Sequence, residues 1–145
     1  MKKIISLLLS LIMVFSLVAC GGGSTVETDA DGNVAMQYIT IDDAKTKLED
    51  DSYVFFDVRK AADSSTMTIP GAQAWDMDAA KEGDAEAGKA TMTEATKDLD
   101  KNIIVVCYSG KRYAQATTNA LAAIGYDMSK VFTLEGGFRL VREVP

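Results

Sequence analysis

Cys107 is followed by Tyr108, Ser109, Gly110, Lys111 and Arg112, so a thiol, a glycine and two cations fall within one short run. The apolar residues 103–107 before it read as a buried strand, and residues 112–124 carry small and apolar side chains at helical spacing. The run is therefore a strand-to-helix turn. In open α/β sheets ligands bind at the carboxyl ends of strands, which makes such a turn a reaction site by topology. Gly110 is free to take a backbone shape that other residues avoid, so successive N–H groups can converge into an anion-binding nest above a helix N-terminus. Lys111 and Arg112 add positive charge at its mouth. The helix dipole and the cations favour a thiolate, a nucleophile that needs no histidine base. The same spacing also fits a small buried hydrophobe that ends a core strand beside two solvated cations, and spacing alone leaves both readings open.

Composition removes other chemistries. The chain of 145 residues has two cysteines and no histidine. Ser/His/Asp and Cys/His sites are excluded, as are histidine metal ligands and a four-cysteine zinc site, and neither metal nor cofactor is expected. The formal charge of -6, from 21 acidic and 15 basic residues, comes without a basic stripe, so nucleic acid is not an expected partner.

The first residues read as an export signal. Lys2 and Lys3 precede an apolar run through Ala19 that is short for a membrane span. Its end, Leu17-Val18-Ala19-Cys20-Gly21, resembles the lipobox of bacterial lipoproteins. The resemblance implies a diacylglyceryl group on Cys20 and cleavage before it, with acyl chains contributing about 0.8 kcal/mol per buried CH2 to membrane attachment. Residues 1–19 are then the signal peptide and residues 20–34 the lipidated cysteine and a flexible Gly, Ser and acid-rich tether. Residues 35–145 form the folded domain, on the extracytoplasmic face of a membrane as cell surface or periplasm. A thioether at Cys20 leaves Cys107 without an internal disulfide partner.

The folded part alternates strands and helices. Residues 36–41 are β-prone, and Thr40 with Asp43 resembles a capping box for a helix through Leu48. Residues 53–58 are apolar on both faces, which suits a buried parallel strand. Residues 72–75 suggest a short strand, 93–99 a helix, 131–134 the last strand, and Gly136-Gly137 the start of a terminal helix ending near Glu143. Residues 76–88 are acidic and weakly periodic, and no element is assigned there. The pattern predicts a single α/β domain with a mostly parallel sheet and helices on both faces.

Four motifs, in order, resemble the rhodanese-like, or sulfurtransferase, domain between about Ile39 and Val141. Phe56-Asp57-Val58-Arg59 is similar to the family's D-V-R, and Ile69-Pro70-Gly71-Ala72 to its I-P-G-A. The run from Cys107 to Arg112 is similar to the active-site loop C-x-x-G-x-R, and Leu134-Glu135-Gly136-Gly137-Phe138 to L-x-G-G-[FW]. The resemblance implies that Cys107 carries a sulfane sulfur as a persulfide from a small donor anion such as thiosulfate to cyanide or a thiol. The six-residue loop has the length used for sulfur transfer, one residue shorter than in related cell-division-cycle phosphatases. Arg112 is expected to brace the loop and hold an anionic donor, Lys111 and Tyr108 to shape donor preference, and Asp57 and Arg59 to be architectural.

Two departures stand out. Asp63 occupies a position where the family usually has Glu, and Thr68 stands before Ile69 where it usually has His, so polar contacts near the site are expected to differ. A sulfur carrier or redox sensor of the same fold is the alternative function, and a non-catalytic binding domain is a third, disfavoured by the intact loop. Protein partners leave no signal in the sequence.

Overall fold

The computed structural model describes residues 26–141. Strands β1 (Tyr38–Ile39), β2 (Tyr53–Asp57), β3 (Gln73–Ala74), β4 (Asn102–Val106) and β5 (Val131–Leu134) form one parallel sheet in the order β1-β5-β4-β2-β3. The central pair runs in register from Tyr53 opposite Asn102 to Asp57 opposite Val106, so β2 and β4 end together at one edge. The continuous apolar runs in β2 and β4 follow from burial on both faces. Successive side chains alternate: Val54, Phe56, Ile103 and Val105 enter one core layer, while Phe55, Ile104 and Val106 enter the other.

The first layer is covered by α3 (Asp78–Lys81), α4 (Ala85–Ala95) and α5 (Arg112–Ala123). The second is covered by α1 (Ile41–Lys45) and α6 (Gly137–Val141), with Ile69 from the loop after α2 (Ala61–Thr66). A short 3-10 turn, Met128–Lys130, leads into β5. Thr40 caps α1, its Oγ1 accepting from the Asp43 N–H at 3.2 Å, but its hydroxyl donates to Asp43 Oδ2 at 3.0 Å in place of the backbone bond of a full capping box, and the helix expected through Leu48 ends at Lys45. Within α5, the buried Thr117 and Thr118 hydroxyls donate to the carbonyls of Tyr113 and Ala114, each at 2.8 Å, which satisfies them inside the core.

Three further segments differ from the sequence reading. The helix expected over residues 93–99 is α4, which starts at Ala85 and ends at Ala95. Asp84 caps it by accepting from the Ala87 N–H at 2.9 Å, and Asp98 at φ 59° belongs to the turn that follows. Residues 76–88 hold α3 and the first turn of α4. At the N-terminal side, residues 28–34 turn back on themselves where a tether was expected. Thr28 bridges Val34, Asp29 Oδ1 accepts from the backbone of Asp31 and Asn33, and Val34 is buried. Asn119 and Gln115 of α5 fasten this turn, accepting from the Val34 N–H at 2.9 Å and donating to its carbonyl at 2.8 Å respectively. The signal and lipobox residues, Cys20 included, lie outside the described residues. Among the described residues no helix is long and apolar enough to cross a membrane.

Candidate functional site

Because β2 and β4 end level, the segments that leave them, Val58-Arg59 and the loop from Cys107, emerge side by side. The Val58 N–H donates to the Val106 carbonyl at 2.9 Å, extending the pairing to the base of the loop. Cys107 is buried, with 1% of its surface exposed, and its Sγ accepts from the Gly110 N–H at 3.2 Å. Gly110 takes φ 71°, the left-handed region that lets the chain fold back over the sulfur. This is the turn geometry expected from the run of residues 107–112.

The loop is clamped from β5 and α6. The Phe138 N–H donates to the Cys107 carbonyl at 2.7 Å, and the Arg139 N–H to the Tyr108 carbonyl at 3.3 Å. The approach needs glycine. A Cβ on Gly137 would lie 2.4 Å from the Cys107 carbonyl oxygen and 2.6 Å from the Ser109 nitrogen. The Gly-Gly pair in the fourth motif is thus part of the site's construction.

Beneath the loop, Arg59 and Asp57 form a buried bidentate pair: Nε donates to Oδ1 at 2.9 Å and a terminal nitrogen to Oδ2 at 2.6 Å. The same terminal nitrogen donates to the Met67 carbonyl at 2.5 Å, and the Thr68 hydroxyl donates to Asp57 Oδ2 at 2.6 Å. Arg59 lies 3.7 Å from the centroid of the Phe138 ring and 5.8 Å from that of Tyr108. Asp57 and Arg59 therefore tie β2, the 67–68 segment and α6 together. Thr68 supplies a hydroxyl donor where the family pattern has an imidazole.

Tyr108 turns away from the sulfur toward α2, where its hydroxyl donates to Asp63 and accepts from the Lys60 N–H at 3.4 Å. Its ring meets that of Tyr113 edge-on at 5.2 Å between centroids, and the Tyr113 hydroxyl donates to Asp78 at 2.6 Å. Burial, then the neighbouring carboxylate, pushes both phenols above their ordinary value. They remain protonated donors at neutral pH.

Lys111 and Arg112 are exposed at the start of α5. Among the described residues neither makes a salt bridge, and Arg112 donates no hydrogen bond to the loop. The bracing expected of Arg112 comes instead from the backbone of Phe138 and Arg139. Ser109 is half-buried. Trp75 packs on the core, 6.2 Å from the Phe56 ring. A cavity of about 710 Å³ opens beside the loop, lined by Arg59, Asp63, Met67, Tyr108, Phe138 and Arg139 among others. Sequence reasoning did not single out Met67, Phe138 or Arg139 as site residues. The Leu134–Phe138 motif was the signal available for the last two. Among the described residues no cluster of three or more His, Cys, Asp or Glu is placed to hold a metal ion.

The profile of the rhodanese-like domain matches residues 40–143. The chain belongs to the rhodanese-like domain family. The human single-domain sulfurtransferase TSTD1 is similar over 77% of this chain and 99% of its own, at 21% identity and a TM-score of 0.55. A rhodanese-like domain protein from Staphylococcus aureus is similar over 72% of this chain and 89% of its own, at 28% identity and a TM-score of 0.50. A rhodanese-related protein from Thermoplasma volcanium shares 20% identity over 74% of this chain and 91% of its own, with a TM-score of 0.54. Among curated proteins there is no match. The single rhodanese-like α/β domain expected from the four motifs is the fold observed.

Proposed function

We propose that this protein is an exported, membrane-tethered sulfurtransferase that moves a sulfane sulfur through a persulfide on Cys107. The observation that carries the reading is the sulfur of Cys107 held under the Gly110 N–H in a turn clamped by the Gly136-Gly137 segment. In this reading the Cys107 thiolate attacks the terminal sulfur of thiosulfate. The new Sγ–S bond forms as the bond to the sulfonate sulfur breaks, and sulfite leaves with the electron pair. The loop N–H groups and the α5 N-terminus stabilise negative charge on the persulfide. An acceptor, cyanide or a thiolate, then attacks the outer sulfur, and the electron pair of the cleaved Sγ–S bond returns to Cys107.

The test is the intact mass of the protein in detergent before and after thiosulfate, with Cys107→Ser alongside. A gain of one sulfur atom, removed by cyanide and absent from the variant, is expected. No gain on a folded wild-type protein would overturn the reading. Arg112, exposed and without a carboxylate partner among the described residues, is assigned to the donor. Arg112→Ala should raise the KM for thiosulfate by more than the roughly fivefold that an exposed ion pair explains.

The burial of Cys107 favours a second reading, a sulfur carrier with little turnover, and counts against the redox-sensing module, which calls for a solvent-accessible thiol. Steady-state cyanide-dependent turnover separates the two. Tethering rests on the lipobox resemblance at Leu17 to Cys20. Cys20→Ala should move the protein from the membrane fraction to the soluble one, and retention in the membrane would show the anchor lies elsewhere.

A further inference from the structure

Tyr38 belongs to none of the four motifs, and 53% of its surface is exposed. Its neighbour Ile39 packs on the second core layer, so alternation along β1 sends Tyr38 to the other face of the sheet, where α5 begins. There its hydroxyl donates to the Gly110 carbonyl at 3.3 Å. No other donor reaches that carbonyl among the described residues. Gly110 sits over the end of β5, since a Cβ on it would lie 2.7 Å from the Leu134 carbonyl oxygen. In the sheet β1 lies on one side of β5, and β4, which leads into Cys107, on the other. The two polar groups of Gly110 therefore face opposite ways, the N–H to Cys107 Sγ and the carbonyl to Tyr38. The Gly110–Lys111 peptide is trans, and the C=O and N–H of a planar trans peptide point in opposite directions. The Lys111 N–H is thus turned away from Tyr38, toward the side that holds the sulfur. Neither it nor the Ser109 N–H has an acceptor among the described residues.

We propose that Tyr38 is a positioning residue for sulfur transfer: by holding the Gly110 carbonyl outward, its hydroxyl keeps the Lys111 N–H turned toward the outer sulfur of a Cys107 persulfide. The inference rests on the sulfurtransferase reading above and adds a residue from outside the loop. Gly110, without a side chain and at φ 71°, leaves the following peptide free to rotate, and a carbonyl turned inward would set a negative oxygen against the charged sulfur. Tyr38 opposes that rotation. It takes no part in the bond changes: the Cys107 thiolate and thiosulfate give the persulfide anion and sulfite, one S–S bond forming as another breaks. What it shifts is the balance between those two sides, because the Gly110 N–H already serves Sγ and the Lys111 N–H is left for the sulfur that arrives.

The test equilibrates the full protein in detergent with thiosulfate and sulfite at fixed ratios and reads persulfide against free thiol by intact mass. Wild type is compared with Tyr38→Phe, which keeps the exposed ring and loses only the hydroxyl, and with Asp84→Ala, which loosens the distant cap of α4. Tyr38→Phe should lower the persulfide-to-thiol ratio by about threefold to tenfold, the worth of one hydrogen bond. Asp84→Ala should leave it at the wild-type value, because a general loss of stability does not favour one sulfur state over the other. An unchanged ratio in Tyr38→Phe would overturn the inference while leaving sulfur transfer intact. An equal fall in Asp84→Ala would overturn it too, since the ratio would then follow stability rather than the Gly110 carbonyl. Absence of any sulfur gain by folded wild type would instead bring down the sulfurtransferase reading and the inference with it.

Discussion

Gly137 shows how little room the Cys107 loop has. It lies at φ 61°, where an L side chain costs about 1–2 kcal/mol, and the added Cβ would meet backbone atoms of Cys107, Ser109 and Gly110, which cannot rotate aside. Gly137→Ala should therefore lose stability in urea and also expose the Cys107 thiol to faster alkylation. Gly71 is the control: at φ 80° with nothing within 4 Å of a new Cβ, Gly71→Ala should carry the backbone cost alone and leave alkylation unchanged. A different limit applies at Asp57. Its carboxylate and the Arg59 guanidinium are both buried, so Asp57→Asn leaves an uncompensated charge beneath the loop and should cost about 3–5 kcal/mol by urea unfolding. A loss below about 1 kcal/mol would show that Arg59 finds another partner or water.

At the scale of elements, α4 depends on a cap. Asp84→Ala removes the acceptor for the Ala87 N–H and should cost about 1 kcal/mol, a fall of roughly 5 °C in Tm. The same helix shows what the sequence conveys and what it hides. β2 and β4 were legible because Val54, Phe55, Phe56 and Ile103 to Val106 are apolar on both faces, a pattern that only a doubly covered strand needs. The site loop was legible because thiol, glycine and cations are contiguous between such a strand and a helix. α4 was not, because its inward stripe is Gly88, Met92 and Ala95, too small and too diluted by charge to stand out. Gly88 is small for a reason: a Cβ there would lie 2.9 Å from that of Ala80. Leu99 extended the apparent helix, yet it packs on the core from the turn after it. The cavity wall was hidden for another reason. Met67, Tyr108 and Arg139 come from three loops or helix ends, and their meeting is fixed by the sheet order rather than by local spacing.

For the whole molecule, pH acts from both ends. Asp29, Asp50, Asp78, Glu82 and Asp127 sit below their ordinary values, held there chiefly by hydrogen bonds from Asn33, Ser52, Tyr113, Lys81 and Ser129 respectively. A carboxylate lowered on folding adds stability above its unfolded pKa near about 4 and loses it as pH falls through the folded one. Burial raises Tyr108, Tyr113 and Tyr126, and a raised phenol stabilises below about 10 and loses that contribution as pH rises through its folded value. The urea midpoint should be flat between about pH 5 and pH 9 and fall on either side. Tyr113→Phe should shallow both limbs at once, because one hydrogen bond lowers Asp78 and raises Tyr113. A change in the alkaline limb only would mean that Asp78 keeps its low value without the phenol. The docked turn over residues 28–34 has a mechanical consequence. With Asn119 and Gln115 holding Val34, the stretch left between Cys20 and Glu27 spans at most about 25 Å when fully drawn out. A lipid on Cys20 would then act as a short leash, confining the Cys107 loop to collisions within about one domain diameter of the headgroups and making molecules concentrated at that surface the ones it meets.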